Sequence, residues 1–150
     1  MKLTFDANIW VGAYDPKDLQ HAVCLDVLET VSSNSGITMV SPLLMEVEVL
    51  GSIARKTHNA ETINKVWEGM RSLSRQEWLP LDEQLTAEAS RCATLFCLRG
   101  ADAVYVATAM LNEATLLTYD EDIIKRTPQK DLTVLKPEEW LERHAKQGGA

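Results

Sequence analysis

FDANIW, Phe5 to Trp10, follows MKLT and carries a short apolar strand into an aspartate and then directly into a helix. A carboxylate at the end of a buried strand is costly unless it is paired or holds a cation. One aspartate decides little by itself. The question it poses is whether the rest of the sequence brings further carboxylates to the same place.

Outward from that stretch, LTF forms the strand and a helix runs from about Asn8 to Tyr14. Asp15-Pro16 makes a turn, with Pro16 placed to open a helix whose stripe is Ala22, Leu25, Leu28 and Val31. SSNSG ends it, and ITMV is a second strand. Ser41 reads as an N-cap with Pro42 at the first position of a helix through Arg55. Ile63, Trp67, Met70 and Leu73 mark another amphipathic helix, packed as core. Trp78 to Leu81 is a short strand, and Asp82 caps a helix to about Leu98 that Gly100 breaks. ADAVYVATAMLNE is an apolar helix, LLTY and TVL are strands, and PEEWLERHA is the closing helix. Strands alternating with one or two helices predict an α/β fold, a mainly parallel sheet flanked by helices on both faces. The expected organisation is one domain over residues 1–145 with a flexible tail at 146–150.

Composition excludes several classes. With 150 residues, 45% apolar and 25% charged, the chain suits one globular domain. No apolar run approaches the roughly 20 residues of a membrane span, and a single Lys before Asp6 is unlike a secretory signal. Cys24, Cys92 and Cys97 lack CxxC spacing and read as buried free thiols in a reducing cytoplasm. His21, His58 and His144 form no HxxxH or HExxH pair, and neither GxSxG nor a phosphate-cradling Gly-rich loop occurs. A net charge of −7 is unlike a plain electrostatic nucleic-acid binder. It leaves room for a nuclease, because carboxylates that bind cations are neutralised in the working protein. Small basic clusters at Arg55-Lys56, Arg71/Arg75 and Lys125-Arg126 are ordinary solvated surface or contacts to nucleic-acid phosphates.

In open parallel sheets, sites form beyond the carboxyl ends of the strands, where strand order reverses. Asp6 ends the first strand, Asp120 follows LLTY, Glu46 lies in the first turns after ITMV, and Asp102 begins the helix after Gly100. Four carboxylates from distant parts of the chain thus fall at element ends. Two like charges about 4 Å apart repel by about 4 kcal/mol at an effective dielectric of 20, so such a cluster takes up protons or binds cations. Singly, each has a simpler use: Asp6 and Asp102 could cap their helices, and Asp120, Glu121 and Asp122 could dress a helix start. Glu48, beside Glu46, makes one of that pair a candidate surface group.

FDANIW, SPLLMEVEVL, GADAVYVATA and LLTYDED, in this order, resemble the motifs of the PIN domain family, and by length and pattern the VapC-type toxins of prokaryotic toxin–antitoxin pairs. The family's strand-ending Asp, small residue and Asn are matched by Asp6, Ala7 and Asn8, and its helical Glu by Glu46. D-A-x-x-x-A-T-A is matched by Asp102 to Ala109, and L-[ST]-x-D by Leu117, Thr118 and Asp120. The resemblance implies a PIN-like three-layer fold and an endoribonuclease dependent on Mg²⁺ or Mn²⁺, hard ions that suit oxygen ligands. Asp6, Asp102 and Asp120 would be metal ligands, Glu46 a ligand or water-orienting group, and Asn8, Thr118 and Asp122 supporting residues. It also implies a cognate antitoxin and a homodimer, and gives the stripe of Ile63, Trp67, Met70 and Leu73 an alternative to core packing, a grip on those two partners. Two rivals stand beside it. A haloacid-dehalogenase-like phosphatase would use Asp6 as nucleophile but wants a second Asp where Asn8 stands. A non-catalytic PIN-like module would bind partners without cleaving RNA.

Overall fold

The computed structural model describes residues 1–147. β1 (Lys2–Phe5) leads into α1 (Ala7–Tyr14) and α2 (His21–Ser33); β2 (Thr38–Pro42) leads into α3 (Leu43–Thr57) and α4 (Ala60–Arg71). β3 (Gln76–Leu79) is followed by α5 (Glu83–Leu95) and α6 (Gly100–Leu111), β4 (Thr115–Leu117) by α7 (Glu121–Arg126), and β5 (Val134–Leu135) by α8 (Pro137–Gln147). The strands form one five-stranded sheet of order β3-β2-β1-β4-β5, and every pairing is parallel. This is the α/β architecture that the alternation of strands and helices predicts.

The order places β1 at the centre with β2 on one side and β4 on the other. The chain builds outward through β2 and β3, then returns to β4, so strand order reverses at β1. Leu3, Phe5, Met39, Val40, Leu116 and Leu117 are fully buried in these central strands. Such near-continuous apolar runs are what a sheet covered on both faces requires. The most apolar helix, α6, buries Ala103 through Ala109 without interruption.

Local differences from the sequence reading have identifiable causes. Pro16 lies in the turn before α2, which starts only at His21, because Asp15 and Asp18 fold the intervening residues by accepting Lys17 and Gln20 amides. Ser41 and Pro42 belong to β2, paired with Trp78 and Leu79, rather than to the start of α3. The break between α5 and α6 is made at Cys97, in the left-handed region at φ 52°, and Gly100 is the first residue of α6. Cys97 is exposed, whereas Cys24 and Cys92 are the buried thiols expected. In the α4 stripe Met70 is buried and Ile63 and Leu73 pack on the core, but Trp67 is 44% exposed. Of the expected tail at 146–150, Lys146 and Gln147 close α8 and 148–150 lie outside the described residues.

α4 meets α1 at Gly69, where a Cβ would stand 1.8 Å from the Tyr14 hydroxyl oxygen and 3.0 Å from the ring carbon that bears it. Tyr14 is stacked on the buried Trp10 at 6.3 Å, so its ring has little freedom to give way. Gly69 is therefore required by space, not by backbone conformation. Gly69→Ala should lower stability by about 1–3 kcal/mol, the usual cost of overpacking. Tyr14→Phe in the same chain should recover part of that loss, as urea unfolding of the two single variants and the double variant would measure.

Candidate active site

The carboxyl ends of β1 and β4 are joined by one hydroxyl. Phe5 pairs with Leu117 in the sheet, and the Asp6 amide donates to the Leu117 carbonyl at 3.0 Å, extending the pairing one step beyond the strand. Thr118, fully buried, donates its Oγ1 hydrogen to Asp6 Oδ2 at 2.6 Å. Thr118 Oγ1 in turn accepts the Asp120 amide at 2.9 Å. Asn8, in the first turn of α1, donates Nδ2 to Asp6 Oδ2 at 3.0 Å. Asn8 and Thr118, the supporting candidates of the sequence, both contact the Asp6 carboxylate.

Asp120 caps α7: its Oδ1 accepts the amides of Asp122 and Ile123 at 2.8 and 3.1 Å. Asp102 sits in the first turn of α6 and is buried. Arg99, the residue before α6, joins these two: its Nε donates to Asp102 Oδ2 at 3.1 Å and its Nη2 to Asp120 Oδ2 at 3.2 Å. Asp122 contributes its backbone amide, while its side chain faces Arg126 at 3.6 Å and its charge acts on Arg99.

Glu46 is not brought to the site. Its carboxylate accepts from Arg71 Nε of α4 at 2.7 Å, and Arg71 in turn lies over the Trp78 ring. Glu48 takes the place that the sequence reading gave to Glu46. It accepts a hydrogen bond from the hydroxyl of Tyr105, a buried residue of α6, and its charge acts on Asp6 and Asp102. Residues two apart on a helix point about 200° from one another, so only one of the pair can face the sheet ends.

The electrostatics carry the mark of an unneutralised cluster. Asp6 is raised from 3.8 to about 6, first by burial, against the lowering effect of the Thr118 hydrogen bond, with Asp102, Asp120 and Glu48 adding to the rise. Asp102 is also raised, first by burial and then by Asp120, with Arg99 opposing. Asp6 therefore has only uncharged donors, while Arg99 serves the other two.

The donor set suits a hard divalent cation: carboxylate oxygens with no His or Cys. Asn8 Oδ1, adjacent to the Asp6 cluster, is buried and lacks a hydrogen-bond partner. Among the described residues, no three His, Cys, Asp or Glu side chains are yet disposed to ligate a single point. The chemistry of the residues fits a cation, and their spacing leaves Arg99 in the gap. None of these carboxylates lines the concavity of about 690 Å³ formed by Trp10, Tyr14, Leu25, Leu28, Gly69 and Leu73 among others.

One member of each basic cluster is engaged within the fold, Arg71 by Glu46 as above. Lys56 pairs with Asp15 at 2.8 Å, and Arg126 donates to the Cys97 carbonyl at 2.6 Å besides facing Asp122. Of the three histidines, His21 contacts the Gly12 carbonyl at 2.8 Å, His58 ends α3 in the left-handed region and His144 stacks on Trp140.

The profile of the PIN domain family matches residues 3–130. No curated protein sequence matches the chain. Among solved structures, VapBC2 from Rickettsia felis bound to a DNA fragment from its promoter is 18% identical with a TM-score of 0.67, covering 91% of this chain and 98% of that one. DNA-bound VapBC from Salmonella typhimurium is 17% identical with a TM-score of 0.68, over 91% and 98%. VapC20 from Mycobacterium tuberculosis, a toxin that cleaves the sarcin-ricin loop, is 12% identical with a TM-score of 0.69, over 82% and 93%. At these identities the likeness is one of fold.

A carboxylate whose folded pKa lies above its unfolded value binds more protons when folded, so stability falls as pH rises from about 4 through about 6. For Asp6 the rise from 3.8 to about 6 corresponds to about 3 kcal/mol lost above that window. Asp6→Asn should therefore raise the melting temperature by several degrees at pH 7.5 and change it little at pH 4. Thermal melts of both proteins across that range, without divalent ions, would check it.

Proposed function

Because the chain belongs to the PIN domain family, we propose that it is a Mg²⁺- or Mn²⁺-dependent endoribonuclease acting as the toxin of a toxin–antitoxin pair. The observation that carries the activity is the convergence of Asp6, Asp102 and Asp120 at the strand-order reversal, with Asp6 buried and without a cationic partner among the described residues. The likeness in fold to VapBC assemblies supports an antitoxin partner. A homodimer and a cytoplasmic location complete the proposal; the free thiols agree with a reducing compartment.

Asp6, Asp102 and Asp120 would hold the cation. When bound, it supplies Lewis-acid polarisation of the scissile phosphate and offsets the charge that develops there. Thr118 fixes the Asp6 carboxylate through Oδ2. It also holds the Asp120 backbone, so the two strand ends keep a common geometry as the substrate binds. Glu48, oriented by Tyr105, is the group placed to accept a proton from the attacking water. Tyr105 cannot easily relinquish its own proton, since burial and then the bond to Glu48 raise its pKa. Glu46, committed to Arg71, has a structural role between α3 and α4.

A non-catalytic binding module is the second reading, favoured by the ion pairs of Arg99 with Asp102 and Asp120. Incubation of antitoxin-free protein with RNA and Mn²⁺ separates the two. Cleavage should occur, vanish with EDTA, and fall at least about 100-fold in Asp6→Asn and Asp102→Asn. Glu48→Gln should lose activity to a similar extent, whereas Glu46→Gln should keep most of it. Equal loss in the two glutamate variants would remove Glu48 from the mechanism. Folded protein that cleaves no RNA in Mn²⁺ would sustain the binding module, and phosphate transferred to Asp6 would instead mark a phosphatase.

A further inference from the structure

Among the described residues, Arg99 is the cation that reaches the acidic cluster. Asp120 has two carboxylate oxygens, and Oδ1 is occupied by the amides of Asp122 and Ile123 at the start of α7. Oδ2 remains for any other partner, and Arg99 Nη2 holds it at 3.2 Å. Arg99 Nε holds Asp102 Oδ2 at 3.1 Å. A metal ion that draws on both aspartates through these oxygens must therefore take them from the guanidinium. The Arg99 side chain is 75% exposed, so it reaches these groups from the solvent side and can swing away without unpacking the core. Ion pairs with so exposed a partner are weak and break readily.

We infer that Arg99 is an internal counter-ion exchanged for the divalent cation, and that once displaced it becomes the contact for a phosphate of the RNA backbone. The inference rests on the metal-nuclease reading above. A guanidinium at the mouth of the site presents paired N–H donors that match a phosphate, and a nearby divalent ion repels it toward an incoming anion. The exchange gives Arg99 opposite effects on two ligands: it competes with the cation and assists the substrate. A residue that merely stabilised the fold would not divide the two in this way.

The test measures binding rather than turnover. Mn²⁺ titration by calorimetry on metal-free protein should give an affinity about five- to tenfold tighter for Arg99→Gln than for the unaltered chain, the worth of an exposed ion pair or two. Arg99→Lys, which keeps the charge, should stay near the unaltered value. With Ca²⁺ in place of Mn²⁺ to limit cleavage, a fluorescent RNA oligonucleotide should bind Arg99→Gln several-fold more weakly. Melting curves confirm that each variant is folded, and Arg99→Ala, which also removes the charge, serves if Arg99→Gln is not. Equal or weaker Mn²⁺ binding by Arg99→Gln would overturn the exchange while leaving the metal site standing. Tighter Mn²⁺ binding with unchanged RNA affinity would overturn the phosphate contact. No Mn²⁺ uptake by any of the three proteins would overturn the metal reading and this inference together.

Discussion

The Thr118 hydroxyl is the constraint on which the site depends. It has one hydrogen to give and gives it to Asp6, and it receives the amide of Asp120. A side chain without both capacities would untie the Asp6 carboxylate from the Asp120 backbone. Its position follows from the parallel register, because Phe5 is paired with Leu117 and the next residue on each strand must turn toward the same end of the sheet. The sheet is in turn held by the apolar residues of β1, β2 and β4, all packed beneath helices. Sequence pattern, register and hydroxyl form a single chain of cause leading to one buried carboxylate.

That carboxylate destabilises the metal-free protein. Thr118 and Asn8 orient Asp6 but bring no charge, and burial outweighs the help of the hydrogen bond. Arg99 offsets part of the charge on Asp102 and Asp120 from the surface, where solvent screens it. The arrangement is economical as a scaffold only if something positive joins it. Active sites commonly hold stability below its attainable maximum in this manner.

Much of this was legible in the sequence, and the exceptions share a cause. Asp6, Asp120 and Thr118 could be placed because strand ends are marked by local pattern, and parallel strands bring their carboxyl ends together. Asp102 followed from the helix that begins just before it. Glu46 and Glu48 could not be separated, since local sequence does not state how far α3 is rotated about its axis. That rotation is fixed by burial of Met45, Val49 and Ile53 against the core. The partner that marks Glu48 is Tyr105, 57 residues away. Arg99 was hidden for a similar reason: it reads as a loop residue beside Gly100 until the return of the chain to β4 sets Asp120 opposite it. What local pattern conveyed was position along an element. What it withheld was orientation about an axis and contact across the fold.

The charge distribution bears on how an acidic protein could meet RNA at all. With 22 acidic and 15 basic residues, long-range attraction for a polyanion is weak. Several of the basic residues are also engaged: Lys56 by Asp15, Arg71 by Glu46, Arg126 by Asp122 and the Cys97 carbonyl. Affinity must then come from the site itself, where a divalent ion would reverse the local sign of the field. Under the proposed function the cation would do more than polarise the phosphate. It would be a condition of substrate binding, so RNA affinity and metal affinity should be thermodynamically linked and rise together. Arg99 makes the linkage sharper, because the ion that neutralises the aspartates also frees a guanidinium already poised at the entrance.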